Sequence, residues 1–411
     1  MPGISAVRIL SRCEALAACS EQRGALTRVY LSPEQRAASE LVLGWMREAG
    51  MSARLDAVGN CVGRHEGERP GLPALLLGSH LDTVRDAGRY DGMLGVVAAI
   101  ECVHALNEAV RRLPFAVEVI GFADEEGVRF DATLIGSRAV AGTLDPAVLD
   151  VADGAGVTLR QALKDFGLDP ARVREAARRR EESLAYAELH IEQGPVLEAE
   201  GLPAGVVTAI NGATRLAVDV EGTAGHAGTV PMNLRRDALA AAAECALAVE
   251  RRCAGVPDLV GTVGRIEALP GAVNVIPGKV RFTIDVRAAA DAVRASAVDD
   301  LHGQMQAICA RRGVAIGVRK THDHGVTACA PWLMEQLDAA VAAEGLPVRR
   351  LPSGAGHDGM AMAELCDIGM LFVRCEKGVS HNPAEAITAA DAETGTRVFL
   401  RFIENFEAAR R

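Results

Sequence analysis

His80 and Asp91 stand eleven residues apart, Asp124-Glu125-Glu126 follows them, and His190 and His381 lie far downstream. Imidazole nitrogens and carboxylate oxygens are the donors that hold divalent cations in hydrolytic sites. Drawn from separate segments, this set fits a two-cation hydrolase centre, in which closely spaced ions activate water and clamp a developing oxyanion. Two divalent ions, two ligating carboxylates, neutral imidazoles and one hydroxide leave a single positive charge, which suits an anionic transition state. A glycine-rich nucleotide loop looks different.

Each residue also has an ordinary use. His80 can be a hydrogen-bonded strand-end residue, Asp91 can cap the helix that follows, and Asp124-Glu125-Glu126 can be an exposed acidic turn. Buried together without partners, however, those three carboxylates are costly, and a cation is the economical remedy. Asp82, two residues after His80, is expected to accept a proton from the histidine's other ring nitrogen and fix its tautomer. His226, in Gly225-His226-Ala227-Gly228, and Arg287, at the end of an alternating strand, are either surface residues or a carboxylate-recognition pair. A guanidinium fork matches a carboxylate bidentately.

The elements that must position these residues read as α/β. Residues up to 60 read as helices, with Ser32-Pro33-Glu34 a helix start. Ala74 to Leu77 is a short apolar run typical of a strand buried on both faces, Gly92 to Leu106 a helix, and Phe115 to Ala123 a strand that delivers the acidic triplet at its carboxyl end. Residues 151–184 read as polar and helical, and Ala187 to Glu192 as a strand carrying His190. Strands at Arg215–Gly222, Thr262–Leu269, Val280–Arg287 and Val314–Val318, with helices at Leu234–Cys253 and Ala290–Arg311, give β-α-β-β-α-β, a two-layer domain inserted into the first. The expected architecture is a mixed-sheet metallohydrolase domain with helices on both faces, formed by 1–210 and 326–411, and an inserted domain at 211–325.

The 411 residues are ordinary for a globular protein at 49% apolar and 24% charged, and a net charge of -10 argues against nucleic-acid and membrane-surface partners. Apolar runs are too short to span a bilayer, and the ten scattered cysteines form no C-x-x-C pair, so reduced, buried thiols and a cytoplasmic location are expected.

Taken together, several segments resemble the M20 metallopeptidase superfamily, in its amidase branch of allantoate amidohydrolases and N-carbamoyl-L-amino-acid hydrolases. They are Gly78-Ser79-His80-Leu81-Asp82-Thr83, Gly88-Arg89-Tyr90-Asp91-Gly92, Asp124 to Phe130, Glu188 to Pro195, Gly225 to Gly228, Pro231-Met232, Val273 to Gly278, Gly356-His357-Asp358 and Ser380 to Glu385. The resemblance implies that His80 and His190 hold one ion, that Glu126 and His381 hold the other, and that Asp91 bridges them. Glu125 would be the general base. It further implies that Arg287 and Asn274 meet the substrate carboxylate and that Gln193 and His357 add polar contacts, with Gly356 in the same loop. His226 would reach across a homodimer interface to the oxyanion. Manganese or zinc is expected, with nickel and cobalt open, since imidazoles and carboxylates do not choose among them. A histidine at 190, where most M20 peptidases carry a carboxylate, favours a ureido or amide substrate over a dipeptide. The expectation is hydrolysis of the ureido group of allantoate, with an N-carbamoyl-L-amino acid as the alternative and closure of two domains over the substrate. A non-enzymatic binding protein is disfavoured because every expected ligand and the base are present.

Overall fold

The structure, a computed structural model, describes residues 3–409. The chain forms two compact units. One runs to Thr208 and resumes over Ala328–Leu351 and from Ala355; the other is Ala209–Thr327 with Pro352–Gly354.

In the first unit, the hydroxyls of Ser5 and Ser32 accept backbone N–H groups of Arg8 and Gln35 and cap α1 (Ala6–Ala17) and α2 (Pro33–Glu48). The stretch up to residue 60 is not helical throughout. It contains β1 (Ser52–Leu55), which pairs antiparallel with β2 (Cys61–His65). Asp56 closes their turn by accepting the N–H groups of Val58 and Asn60 at 3.0 and 2.9 Å. Strands this short carry too few residues for periodicity to reveal them. Next come β3 (Ala74–His80), α3 (Met93–Glu108), β4 (Ala116–Phe122), α4 (Ile135–Ala141), α5 (Leu159–Asp165), β5 (Ser183–Ile191), α6 (Val196–Glu200) and β6 (Ala204–Ile210). The expected helical stretch over 151–184 holds α5, short 3-10 turns and the start of β5 at Ser183, with Gly156, Gly167 and Pro170 interrupting it.

The second unit comprises β7 (Gly212–Glu221), β8 (Gly225–His226), α7 (Ala238–Cys253), β9 (Leu259–Thr262), β10 (Ile266–Leu269), β11 (Val275–Ile276), β12 (Lys279–Ala288), α8 (Asp291–Arg312) and β13 (Ala315–His324). Its sheet is antiparallel in the order β10-β12-β7-β13, with β9 also on β12. The strand expected over Thr262–Leu269 is therefore two, paired to opposite ends of β12, and β13 runs six residues past the expected end at Val318. Val218, Val220, Phe282 and Ile284 point to α7 and α8 and form the unit's core, while the alternate residues face away from it.

Back in the first unit are β14 (Thr327–Ala328), α9 (Pro331–Ala343), β15 (Arg350–Ser353), α10 (Gly359–Met362), β16 (Ile368–Val373) and α11 (Ala389–Glu404). Strand neighbours run β1-β2-β4-β3-β5-β16-β6-β14, with β15 beside β6. At the centre, β3 is parallel to β4 and β5, and β16 is parallel to β5. The carboxyl ends of four strands therefore share one edge, where open α/β sheets bind ligands. One face packs on α3, α9 and α11, and α10 lies against β5, β16 and α4. None of the ten cysteines is in a disulfide, and nine are buried. Among the described residues, no helix is long and apolar enough to cross a membrane.

Candidate metal centre

The parallel edge gathers residues that the sequence keeps far apart. His80 ends β3, Asp91 sits just before α3, Glu125 and Glu126 follow β4, His190 is the penultimate residue of β5, and His381 lies in the segment after β16. Gly92 makes the entry to α3 possible. Its φ is +68°, and a Cβ there would lie 2.5 Å from the His80 ring.

The two oxygens of Asp91 face different groups. Oδ1 is 3.4 Å from His80 Nε2 and 3.2 Å from His190 Nε2, while Oδ2 is 3.1 Å from His381 Nε2. His381 Nε2 is also 3.5 Å from Glu126 Oε1. Donor atoms of His80, Asp91 and His190 lie within 4.8 Å of one another, as do those of Asp91, Glu126 and His381, and those of His80, Glu125 and Glu126. The first three residues are buried, whereas the His381 side chain is half exposed at the rim.

Backbone carbonyls aim the two buried rings. His80 Nδ1 meets the Asp82 carbonyl oxygen at 3.0 Å and His190 Nδ1 meets that of Ile191 at 2.9 Å, which directs both Nε2 atoms inward. The expected role of the Asp82 carboxylate is thus corrected. It stands 3.6 Å from the ring, and its oxygens instead accept the N–H groups of Glu125 and Glu126 at 2.9 and 3.1 Å. A strand-end carboxylate facing two successive N–H groups takes them in preference to one imidazole already satisfied by a carbonyl.

Burial pushes the Glu125 carboxyl up to about 8 and that of Glu126 to about 7. Burial would raise Asp91 too, but hydrogen bonds from His190, His381 and His80 hold it well below the usual carboxylate range. The hydrogen bond to Asp91 raises His381 to about 9. Burial opposes a charge on His80, yet Asp82 and Asp91 raise it well above an ordinary imidazole.

Among the remaining expected residues, Gln193 Nε2 donates to Asp91 Oδ2 at 3.0 Å and to Ser380 Oγ at 3.1 Å. A Cβ on Gly356 would stand 3.6 Å from Glu125 Oε1, so the loop backs the proposed base. The His357 ring packs edge-on against His190 with centroids 4.5 Å apart. Sequence reasoning assigned no role to Glu385 or Ser380. Glu385 Oε1 accepts the N–H groups of Tyr90 and Asp91 at 2.7 and 3.1 Å, and Ser380 Oγ lies 3.1 Å from both Asp91 Oδ2 and Glu385 Oε2. Their signal was adjacency to His381 within Ser380 to Glu385. Buried Glu188 was also missed; it accepts the hydroxyls of Ser79 and Tyr186 at 2.8 and 2.9 Å.

The second unit holds the other three. His226 is on β8 and Asn274 directly precedes β11, and the two are brought together as β8 pairs with β11. His226 Nδ1 accepts the Gly228 N–H at 3.0 Å, which leaves the ring hydrogen of the neutral form on Nε2. Arg287 lies near the end of β12 and donates to Asp285 and to the Gly354 carbonyl.

Residues 76–405 match Peptidase family M20/M25/M40. The chain belongs to this family. It is 42% identical to the N-carbamoyl-L-amino acid amidohydrolase of Geobacillus stearothermophilus, covering 92% of this chain and 93% of that protein. It is 41% identical to allantoate deiminase 1 of Glycine max, covering 98% and 90%. Among solved structures, an amidase of the hydantoinase/carbamoylase family from Burkholderia multivorans superposes with a TM-score of 0.92 at 31% identity, covering 98% and 97%. M20 membership implies divalent metal ions. The donors here fit them: nitrogen and carboxylate oxygen, buried at His80, Asp91 and His190 and partly so at Glu125 and Glu126, grouped around one two-sided carboxylate.

Proposed function

We propose that this M20 protein hydrolyses the ureido group of allantoate, releasing ammonia and carbon dioxide, with N-carbamoyl-L-amino acids as the second candidate substrates. The observation that carries the hydrolytic reading is the two-sided Asp91 in one cluster with partly buried Glu125 and Glu126. The similarity to allantoate deiminase 1 supports the substrate, as does the polar company of Arg287, whose neighbours on its sheet face include Asp285 and Arg215. The 42% identity to an N-carbamoyl-L-amino acid amidohydrolase keeps the second reading in place.

In this proposal His80 and His190 hold one divalent ion, Glu126 and His381 the other, and Asp91 both. When bound, such ions supply Lewis acidity and make water a nucleophile near neutral pH. Glu125 takes the proton from the attacking water and returns it to the leaving nitrogen as the C–N bond breaks, and the carbamate left behind loses carbon dioxide. His226 offers its Nε2–H to the oxyanion. Arg287 and Asn274 hold the carboxylate, and Gln193 and His357 add polar contacts. Ser380 and Glu385 keep the Asp91 loop in place.

Manganese or zinc is proposed as the resident metal, with nickel and cobalt to be tested beside them. Exposed Met232, Leu234 and Val273 on the second unit support a homodimer, and ten cysteines outside any disulfide suit a reducing compartment such as the cytoplasm. The deciding experiment compares kcat/KM for allantoate and for a panel of N-carbamoyl-L-amino acids on protein reconstituted with each metal. Faster turnover of the carbamoyl amino acids would move the assignment to the second reading.

A further inference from the structure

The sheet face of the second unit that points away from α7 and α8 carries an arginine whose hydrogen bonds are largely filled from within. Arg287 Nε donates to Asp285 Oδ1 at 2.8 Å, Nη2 to Asp285 Oδ2 at 3.1 Å, and Nη1 to the Gly354 carbonyl at 2.7 Å. Asp285 and Arg287 are two residues apart on β12, so their side chains leave the same face. Arg215, directly opposite Asp285 in the β12–β7 ladder, donates Nε to Asp285 Oδ2 at 2.9 Å.

Two consequences follow from the donor count and the charge. A guanidinium has five N–H groups, and these bonds leave one on each of Nη1 and Nη2. The Nε edge is closed, so an incoming carboxylate must use the terminal nitrogens. Asp285 by itself would also cancel the attraction of Arg287 for an anion, whereas the trio with Arg215 keeps one net positive charge.

We propose that Asp285 is a positioning residue for carboxylate recognition. With the Gly354 carbonyl it fixes the plane and direction of the Arg287 guanidinium, and Arg215 offsets its charge so that the group still attracts an anion. Preorganisation of this kind strengthens binding by removing the ordering cost from the encounter. The inference rests on Arg287 being the carboxylate-binding residue of the proposed function.

The test uses metal-loaded enzyme and either allantoate or an N-carbamoyl-L-amino acid, whichever is turned over faster, beside the matching neutral carboxamide. Asp285→Asn is expected to raise KM for the carboxylate substrate by about tenfold with kcat within about twofold, and to leave KM for the carboxamide unchanged. If Asp285 acted only as a nearby negative charge, its removal would instead lower KM for the carboxylate. That result, or equal changes on both substrates, overturns the proposal. Should Asp285→Asn melt early, Arg215→Gln carries the test: KM for the carboxylate rises about threefold or more, most at low salt, with the carboxamide unaffected; an unchanged KM overturns it. Arg287→Gln separates the two levels. If it leaves KM for the carboxylate unchanged, the underlying assignment of Arg287 fails and the inference with it. If it raises KM while Asp285→Asn does not, only the positioning role is lost.

Discussion

Glu125 combines partial burial, a carboxyl raised to about 8 and a backbone N–H pinned by Asp82. Glutamine at this position keeps the shape and removes the proton acceptor. Glu125→Gln is expected to lower kcat by about 10²–10⁴-fold while metal content, measured by plasma mass spectrometry, stays at the wild-type ratio. Retained activity with both ions bound would reject Glu125 as the base. Gly92 makes a different prediction, because a methyl group there would lie 2.5 Å from the His80 ring at a backbone φ of +68°. Gly92→Ala is therefore expected to lose bound metal as well as activity, and full occupancy would show that the loop can yield. Both residues were visible in the sequence as parts of motifs. That Asp82 serves the Glu125 loop and leaves the His80 ring to a carbonyl was not, because it depends on how the ends of β3 and β4 lie side by side.

Among the elements, α3 is buried on nearly all sides and carries one interior charge. Glu101 accepts the Ser5 N–H at 2.9 Å and two Arg8 N–H bonds at 2.7 Å, which ties the start of α1 to α3. Glu101→Ala leaves Arg8 without its anion and the buried Arg12 with only the exposed Glu48, at 3.4 Å. We expect a loss of about 2–4 kcal/mol in urea unfolding, below the upper range for buried pairs because Arg8 is about a third exposed. A loss under about 0.5 kcal/mol would mean that apolar contacts alone seat α1. Long elements such as α3, α8 and β12 were legible because their patterns run over many residues. The β1–β2 hairpin, the split of β9 from β10 and the 3-10 turns before β5 were not, since each is too short to establish a period.

For the whole molecule, the centre links stability to pH and to metal. Glu125 and Glu126 are raised to about 8 and 7 from 4.5, and His381 to about 9 from 6.5. Each folded value exceeds its unfolded one, so the metal-free fold holds protons that the unfolded chain releases. That stabilisation is complete below the unfolded values and is lost as pH rises through 7 to 9. Asp91, held low, acts the other way and loses its contribution only in acid. The melting temperature of chelator-treated protein is expected to fall between pH 5 and 9, and the gain on adding manganese or zinc to grow over the same range, because cations displace those protons. A metal-free melting temperature that rises across this window would contradict the linkage. Size-exclusion chromatography with light scattering tests the proposed dimer, and a fully active monomer would exclude a His226 contribution from a second subunit.

The sequence by itself determined the donor types, the strand-end placement of His80, His190 and the acidic triplet, and the alternation that makes the second unit a two-layer sheet. These are local properties, written in apolar runs and in spacing along a single element. The tertiary structure decided which atoms meet. Parallel pairing of β3, β4, β5 and β16 brings four strand ends to one edge, where the two oxygens of Asp91 face different histidines. Antiparallel register sets Arg215 against Asp285, and the Gly354 carbonyl, far along the chain, takes an N–H of Arg287 that no strand pattern announces. Register between segments tens to hundreds of residues apart is fixed by packing and hydrogen bonding over whole sheets, which no local stretch of sequence contains.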